Sequence, residues 1–144
     1  IHITGVLGEL VGSGRIKLKP GASDGNGAIT FHDACKIQRK GGHIQEPRDI
    51  LKVLAPNSFK EMTPNREESI CCGGGGGVIA IKAADPQRYA AFQLKIDQVN
   101  KVGAKTVTMT CSNCRLQFTD SVDHFKLDWK VTGLAQMVAD ALVE

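Results

Sequence analysis

The chain has 144 residues, 42% of them hydrophobic and 23% charged, the make-up of one soluble globular domain with a core of its own. Its formal charge is only +3, and the basic residues are scattered apart from Lys36, Arg39 and Lys40, so nucleic acid is not implied as a partner. No apolar run approaches the roughly 18 residues of a membrane span and no secretory leader opens the chain, which suggests a cytosolic setting in which clustered thiols mean metal or redox chemistry.

Ile1 rather than Met comes first, and the chain reads as part of a longer subunit. Residues 1–27 are expected to be a helix and loop linking to an upstream region. Ile3, Val6, Leu7, Leu10 and Val11 share one helical face, with Thr4 as the expected cap and Gly12-Ser13-Gly14 as the stop. Residues 19–27 are loop by composition. Ala28 to His32 reads as a short strand that runs into Asp33-Ala34-Cys35, and a cysteine at a strand end is where open α/β sheets place ligand chemistry. After Gly41-Gly42, Pro47 suits the first turn of a helix carrying Ile50, Leu51 and Leu54. Ser58 to Met62 is a candidate second strand.

Asp85-Pro86 is the best local start signal, a capping residue followed by proline, and Tyr89, Phe92, Ile96 and Val99 then recur at helical intervals up to Gly103. Lys105 to Thr110 is rich in β-branched residues and delivers Cys111 at its carboxyl end. Phe118, Val122 and Phe125 fit a helix leaving Cys111-Ser112-Asn113-Cys114. A short strand over Leu127–Val131 and a terminal helix through Leu134, Met137, Val138, Ala141 and Leu142 complete the chain. Alternating strands and helices predict a small α/β domain, a largely parallel sheet flanked by helices.

The chemistry centres on Cys71-Cys72 and the five glycines that follow. Adjacent side chains on an extended backbone point in different directions, so vicinal thiols reach two metal atoms more easily than they chelate one. The glycines let bare backbone amides turn against an anionic or bulky inorganic object. A flexible linker is the alternative, but linkers of that kind mix Gly with Ser and carry no thiols at their edge. With Cys35 and the Cys-x-x-Cys, the five thiols come from three distant segments, and five is one more than a tetrahedral zinc site uses. Zinc held by four of them remains open.

Taken together, His32-Asp33-Ala34-Cys35, Arg39-Lys40-Gly41-Gly42, Pro47-Arg48, Cys71-Cys72 with its glycines, and Cys111-Ser112-Asn113-Cys114-Arg115 resemble the CCG (cysteine-rich) domain of the B- and D-type chains of heterodisulfide reductase, over about residues 28–144. A nearer likeness within that family is to the DsrK type, the catalytic subunits of Dsr membrane complexes. Ala34 stands where many relatives carry proline, which alters loop stiffness but no ligand.

The resemblance implies a noncubane [4Fe–4S] cluster on Cys35, Cys71, Cys72, Cys111 and Cys114, cradled by Gly73 and Gly74 at the strand carboxyl ends. It implies stepwise reduction of a disulfide or trisulfide in sulfur metabolism, since a disulfide takes two electrons and iron–sulfur centres carry one at a time. The implied partners are a sulfur-carrier protein of the DsrC type and other iron–sulfur or haem subunits, at the cytoplasmic face of a membrane-bound complex. His32, close before Cys35, is the expected proton donor to the leaving thiolate. Lys36, Arg39, Lys40 and Arg115 would add positive potential, while His43 and His124 read as surface or loop residues. Two other functions fit the same cysteines: an electron-transfer subunit of a glycolate or lactate oxidase or another quinone-linked complex, and a zinc-bound assembly domain.

Overall fold

The computed structural model describes residues 2–25 and 27–143. Among these, β-branched and aromatic segments form three strands, β1 (Ala28–His32), β2 (Ala104–Met109) and β3 (Lys130–Gly133), all parallel in the order β1-β2-β3. Thr30 pairs with Val107, and Met109 has His32 on one side and Gly133 on the other. Parallel neighbours require long crossovers, and helices supply them. Two α-helices, α2 (Glu46–Leu54) and α3 (Asp85–Val102), lie between β1 and β2, and α4 (Ser112–Phe125) lies between β2 and β3. The α/β architecture expected from the sequence is the one observed.

Strand side chains alternate between the faces of the sheet, and each face has its own core. Ile29 and Phe31 meet Ile50, Leu51 and Leu54 of α2, together with Leu134 and Val138 of α5 (Leu134–Asp140). Val107 and Met109 meet Met62, Phe92, Ile96, Val99 and Phe118 on the opposite face. His32 belongs to this second face, its ring 5.1 Å from that of Phe118.

Local details depart from the sequence reading in several places, among them the last strand, expected over Leu127–Val131 and observed at Lys130–Gly133. The first helix, α1 (Ile3–Gly12), is capped by His2, whose ring accepts the Thr4 amide at 3.2 Å, and Thr4 itself is buried. Phe59 makes a single parallel bridge beside Ile29 instead of a strand, and, two residues on, Glu61 accepts from Arg48. Asp85 is the first residue of α3 rather than its cap, and its carboxylate accepts from Arg88 Nε at 2.8 Å.

The N-terminal segment, expected as a link, packs on the α2 and α5 side. A methyl group added at Gly8 would lie 2.6 Å from Glu46 Cβ, so α1 comes directly against the start of α2. Further on, Leu18 bridges Leu142, and the Lys19 amide donates to the Ala141 carbonyl at 2.8 Å.

One ion pair ties these layers to the loops that follow them. Arg48 is 1% exposed and forks onto Asp33, with Nη1 to Oδ1 at 2.9 Å and Nη2 to Oδ2 at 2.8 Å. It also donates to Glu61 Oε1 at 2.6 Å and to the Ile44 carbonyl at 2.7 Å, while Asp33 Oδ2 accepts the Arg66 amide at 2.7 Å. Removing one partner of such a pair leaves the other charge buried and unmatched. Arg48→Met is expected to destabilise the protein by about 3–5 kcal/mol in urea unfolding, and adding Asp33→Leu should recover much of that loss.

Candidate metal centre

The carboxyl edge of the sheet delivers two of the three cysteine segments. Cys35 follows β1 and opens a π-helical turn, Cys35–Arg39, for which no local pattern in the chain prepares. Cys111 follows β2 and caps α4, and Cys114 lies in the first turn of that helix. The third segment, with Cys71 and Cys72, has no regular structure and is held by side-chain bonds to its neighbours. Ser69 Oγ donates to the Asp33 carbonyl at 3.3 Å, and Asn113 Nδ2 donates to the Gly74 carbonyl at 2.7 Å. Gln38 closes the ring, accepting from the Ala34 amide at 2.6 Å and donating to Thr110 Oγ1 at 3.1 Å.

The glycine run is shaped by contact as well as by conformation. Gly73 has φ +87°, and a Cβ there would sit 3.0 Å from the Arg88 carbonyl oxygen of α3. A Cβ on Gly74 would be 2.8 Å from Gln117 Cβ of α4. Only bare backbone fits between these two helices, and Gln117 is itself held by Arg88 Nη1 at 2.9 Å. Gly75, Gly76 and Gly77 have open space where a Cβ would go.

All five cysteines are free thiols. Cys72 Sγ and Cys114 Sγ are 3.4 Å apart, well beyond the roughly 2.05 Å of a disulfide. The Cys71 thiol is close enough to those of Cys72 and Cys35 for each to influence its ionisation, and its sulfur accepts the Gly73 amide at 3.4 Å. One sulfur–sulfur contact, Cys72–Cys114, therefore joins two of the segments, and Cys35 and Cys71 adjoin it. Cys111 packs against the core cluster that contains Cys72 and Cys114. It also lines a cavity of about 330 Å³ with Thr110, Ser112, Arg115 and Gly133. Burial grades across the group: Cys72 and Cys114 are buried, Cys35 and Cys111 half-buried, and Cys71 exposed. The vicinal pair points apart, one thiol inward and one outward.

His32 lies beneath the inner sulfurs. It is buried, neither ring nitrogen has a hydrogen-bond partner among the described residues, and its ligating atoms lie within 4.8 Å of the Cys72 and Cys114 sulfurs. Burial, reinforced by the positive charge of Lys95, lowers its pKa well below the usual histidine value, so the ring is neutral. Hydrogen bonding to Cys114 and burial push the Cys72 thiol up to about 12, although the Cys71 thiol acts in the other direction. Cys71 is raised too, first by Cys72 and then by burial. Crowded thiols oppose one another's ionisation, and a soft metal reverses that balance by replacing the protons. The donor set fits such a group: thiolates from three segments, an imidazole with unsatisfied nitrogens, and amides on a side-chain-free turn. Cys111 and Cys114 also lie at the positive end of α4.

Lys36, Arg39, Lys40 and Arg115 are exposed beside Cys35 and the Cys-x-x-Cys, and none makes an ion pair among the described residues. His43 bonds Glu46 at 2.8 Å and His124 stacks on Tyr89 at 3.9 Å, both as parts of the scaffold. Sequence reasoning missed Gln38, Arg88, Gln117 and Lys95. Lys95 alone carried a signal, because it stands on the apolar stripe between Phe92 and Ile96.

The CCG cysteine-rich domain family matches residues 29–119. Over 99% of its length the chain is 32% identical to a dihydromethanophenazine:CoB–CoM heterodisulfide reductase chain, the D-type one, of Methanosarcina barkeri, of which it covers 34%. It is 29% identical to the Hdr-like menaquinol oxidoreductase iron-sulfur subunit of Archaeoglobus profundus, covering 26% of that protein. It is 30% identical to the probable iron-sulfur-binding oxidoreductase FadF of Bacillus subtilis, covering 20%. The chain thus spans about a third or less of the length of these relatives. From the family match and the thiol arrangement together, the chain belongs to the CCG cysteine-rich domain family.

Proposed function

We propose that Cys35, Cys71, Cys72, Cys111 and Cys114 hold an iron–sulfur cluster of the noncubane [4Fe–4S] type, and that the domain reduces a disulfide or trisulfide as part of a longer, heterodisulfide reductase-like subunit. The observation that carries this reading is the contact of the free Cys72 and Cys114 sulfurs at 3.4 Å across distant segments, above His32, with Cys71 next to Cys72 in the chain, Cys35 at the end of β1 and Cys111 at the head of the helix that bears Cys114. Five thiols exceed what one zinc ion takes. Relatives named as heterodisulfide reductase and iron–sulfur subunits support the same class of chemistry. Such a cluster supplies one-electron steps and an iron at which a substrate sulfur can be held.

The protein's own groups have separable tasks. Cys72 and Cys114 anchor the centre on the buried side, whereas Cys71, Cys35 and Cys111 border the side from which a substrate approaches. Gly73 and Gly74 bring backbone close without side-chain cover. His32, neutral and buried, acts from below: its N–H is available to the Cys72 and Cys114 sulfurs and can hold a proton there, while bulk water is excluded. The exposed Lys36, Arg39, Lys40 and Arg115 attract an acidic partner. A sulfur-carrier protein of the DsrC type is the partner that suits both this charge and the sequence resemblance. Other iron–sulfur or haem subunits would bring the electrons, at the cytoplasmic face of a membrane complex. No helix among the described residues is long and apolar enough to cross a membrane.

A second reading keeps the cluster but makes the domain an electron-transfer module of a quinone-linked complex. The similarity to a menaquinol oxidoreductase iron-sulfur subunit and to a probable membrane-anchored ferredoxin of Chromohalobacter salexigens favours it.

Anaerobically purified full-length subunit is expected to contain iron and acid-labile sulfide in equal amounts and an EPR signal on oxidation; zinc with no iron would replace the cluster with a structural site. Cys72→Ser should abolish that signal while the far-ultraviolet circular dichroism is retained, and a native signal in the variant would remove Cys72 from the ligand set. Reduction of a disulfide- or trisulfide-loaded carrier protein, measured against oxidation of menaquinol, separates the two functions. Turnover with the quinol alone would favour the electron-transfer module.

A further inference from the structure

Lys95 stands in the middle of α3, on the inward stripe with Phe92 and Ile96, and is 0% exposed. An enclosed ammonium is rare unless an anion meets it. The Lys95 nitrogen donates to Gln98 Oε1 at 2.8 Å and reaches Met62 Sδ at 3.9 Å, and neither atom carries a charge. Among the described residues no carboxylate is within ion-pair distance of it. Asp33 is the carboxylate whose field it feels, and that group is already engaged by Arg48 and the Arg66 amide.

The other groups whose charge acts on Lys95 are the sulfurs of Cys72, Cys71 and Cys114, which are negative only once their protons are lost. Met62, which its nitrogen touches, lies in the same core cluster as Cys72 and Cys114. Burial holds the Lys95 pKa down to about 8, against the upward pull of those thiols and Asp33. The interior thus contains a cation without a dedicated anion, beside sulfurs that become anionic when they bind metal.

We propose that Lys95 is the internal counter-cation of the metal–thiolate centre, offsetting the charge of Cys71, Cys72 and Cys114 and setting how readily the centre accepts an electron. This rests on the proposal that those cysteines are the cluster ligands. A fixed positive charge favours the more negative, reduced state, so its removal makes reduction harder. In the metal-free protein the same buried charge is a cost, so its removal does not weaken the fold. The two effects have opposite signs, which a lysine that only filled space would not produce.

The test compares the full-length subunit with Lys95→Met, which keeps the side chain's shape, and Lys95→Gln, which keeps a polar end. Loaded anaerobically, both variants are expected to titrate at a more negative midpoint potential when followed by EPR. Metal-free, both should bind Co²⁺ roughly tenfold more weakly, read from thiolate-to-cobalt absorption, on the scale expected for one charge several ångströms away at an effective dielectric of about 20. Metal-free Lys95→Met should melt at or above the wild-type temperature. Wild-type potential and wild-type Co²⁺ affinity in both variants would overturn the role of Lys95 and leave the cluster assignment standing. A wild-type subunit that takes up neither iron nor cobalt would overturn both.

Discussion

The fork of Arg48 on Asp33 is the contact on which the arrangement of the site depends. Asp33 lies between the end of β1 and Cys35, Arg48 is on α2, and Glu61 and Arg66 are on the approach to the vicinal thiols. One guanidinium therefore fixes the angle at which Cys35 leaves the sheet and the path by which Cys71 and Cys72 return to it. Its planar geometry suits this task, since bidentate pairing sets orientation as well as distance. Ser69, Gln38 and Asn113 continue the same work around the ring, each by a bond from one cysteine segment to the next.

Electrostatics explains why so many polar groups are gathered under the thiols. Cys72 beside Cys71, Cys114 beside Cys72, and burial hold the vicinal thiols protonated, so the pair is poised to exchange protons for a soft cation. Around it stand the amino end of α4, an imidazole kept neutral by burial, and an enclosed ammonium. Each of these is unfavourable or idle in an apolar core. Beside a metal–thiolate group they become complementary.

The grading of exposure gives the site a direction. Inner sulfurs lie against Phe118 and Phe92, where water is excluded, and outer sulfurs lie against a basic surface and a cavity. A metal bound at these sulfurs would have one side fixed by packing and another open to solvent. The glycine run is what lets the outer side come near: Gly73 and Gly74 occupy a gap between α3 and α4 too narrow for any side chain.

The class of fold was legible in the amino-acid order alone, because period-two and helical-period apolar patterns alternate along the chain and the strand ends coincide with cysteines. So was the long helix, since Asp85-Pro86 starts a helical-period stripe that runs up to Gly103. Packing over long sequence separations decided the rest. The π-helical turn at Cys35 depends on Gln38 reaching Thr110, and the cap of α1 depends on a ring rather than the expected hydroxyl. Segment 58–62 keeps only one bridge to the sheet, at Phe59, while Glu61 pairs with Arg48. Which thiol of the vicinal pair is buried, that His32 lies beside it, and that Lys95 is enclosed, were decided by packing between α3, β1 and α4. Spacing along a chain encodes local periodicity, whereas the burial and charge of a side chain are set by neighbours that only the folded chain brings near.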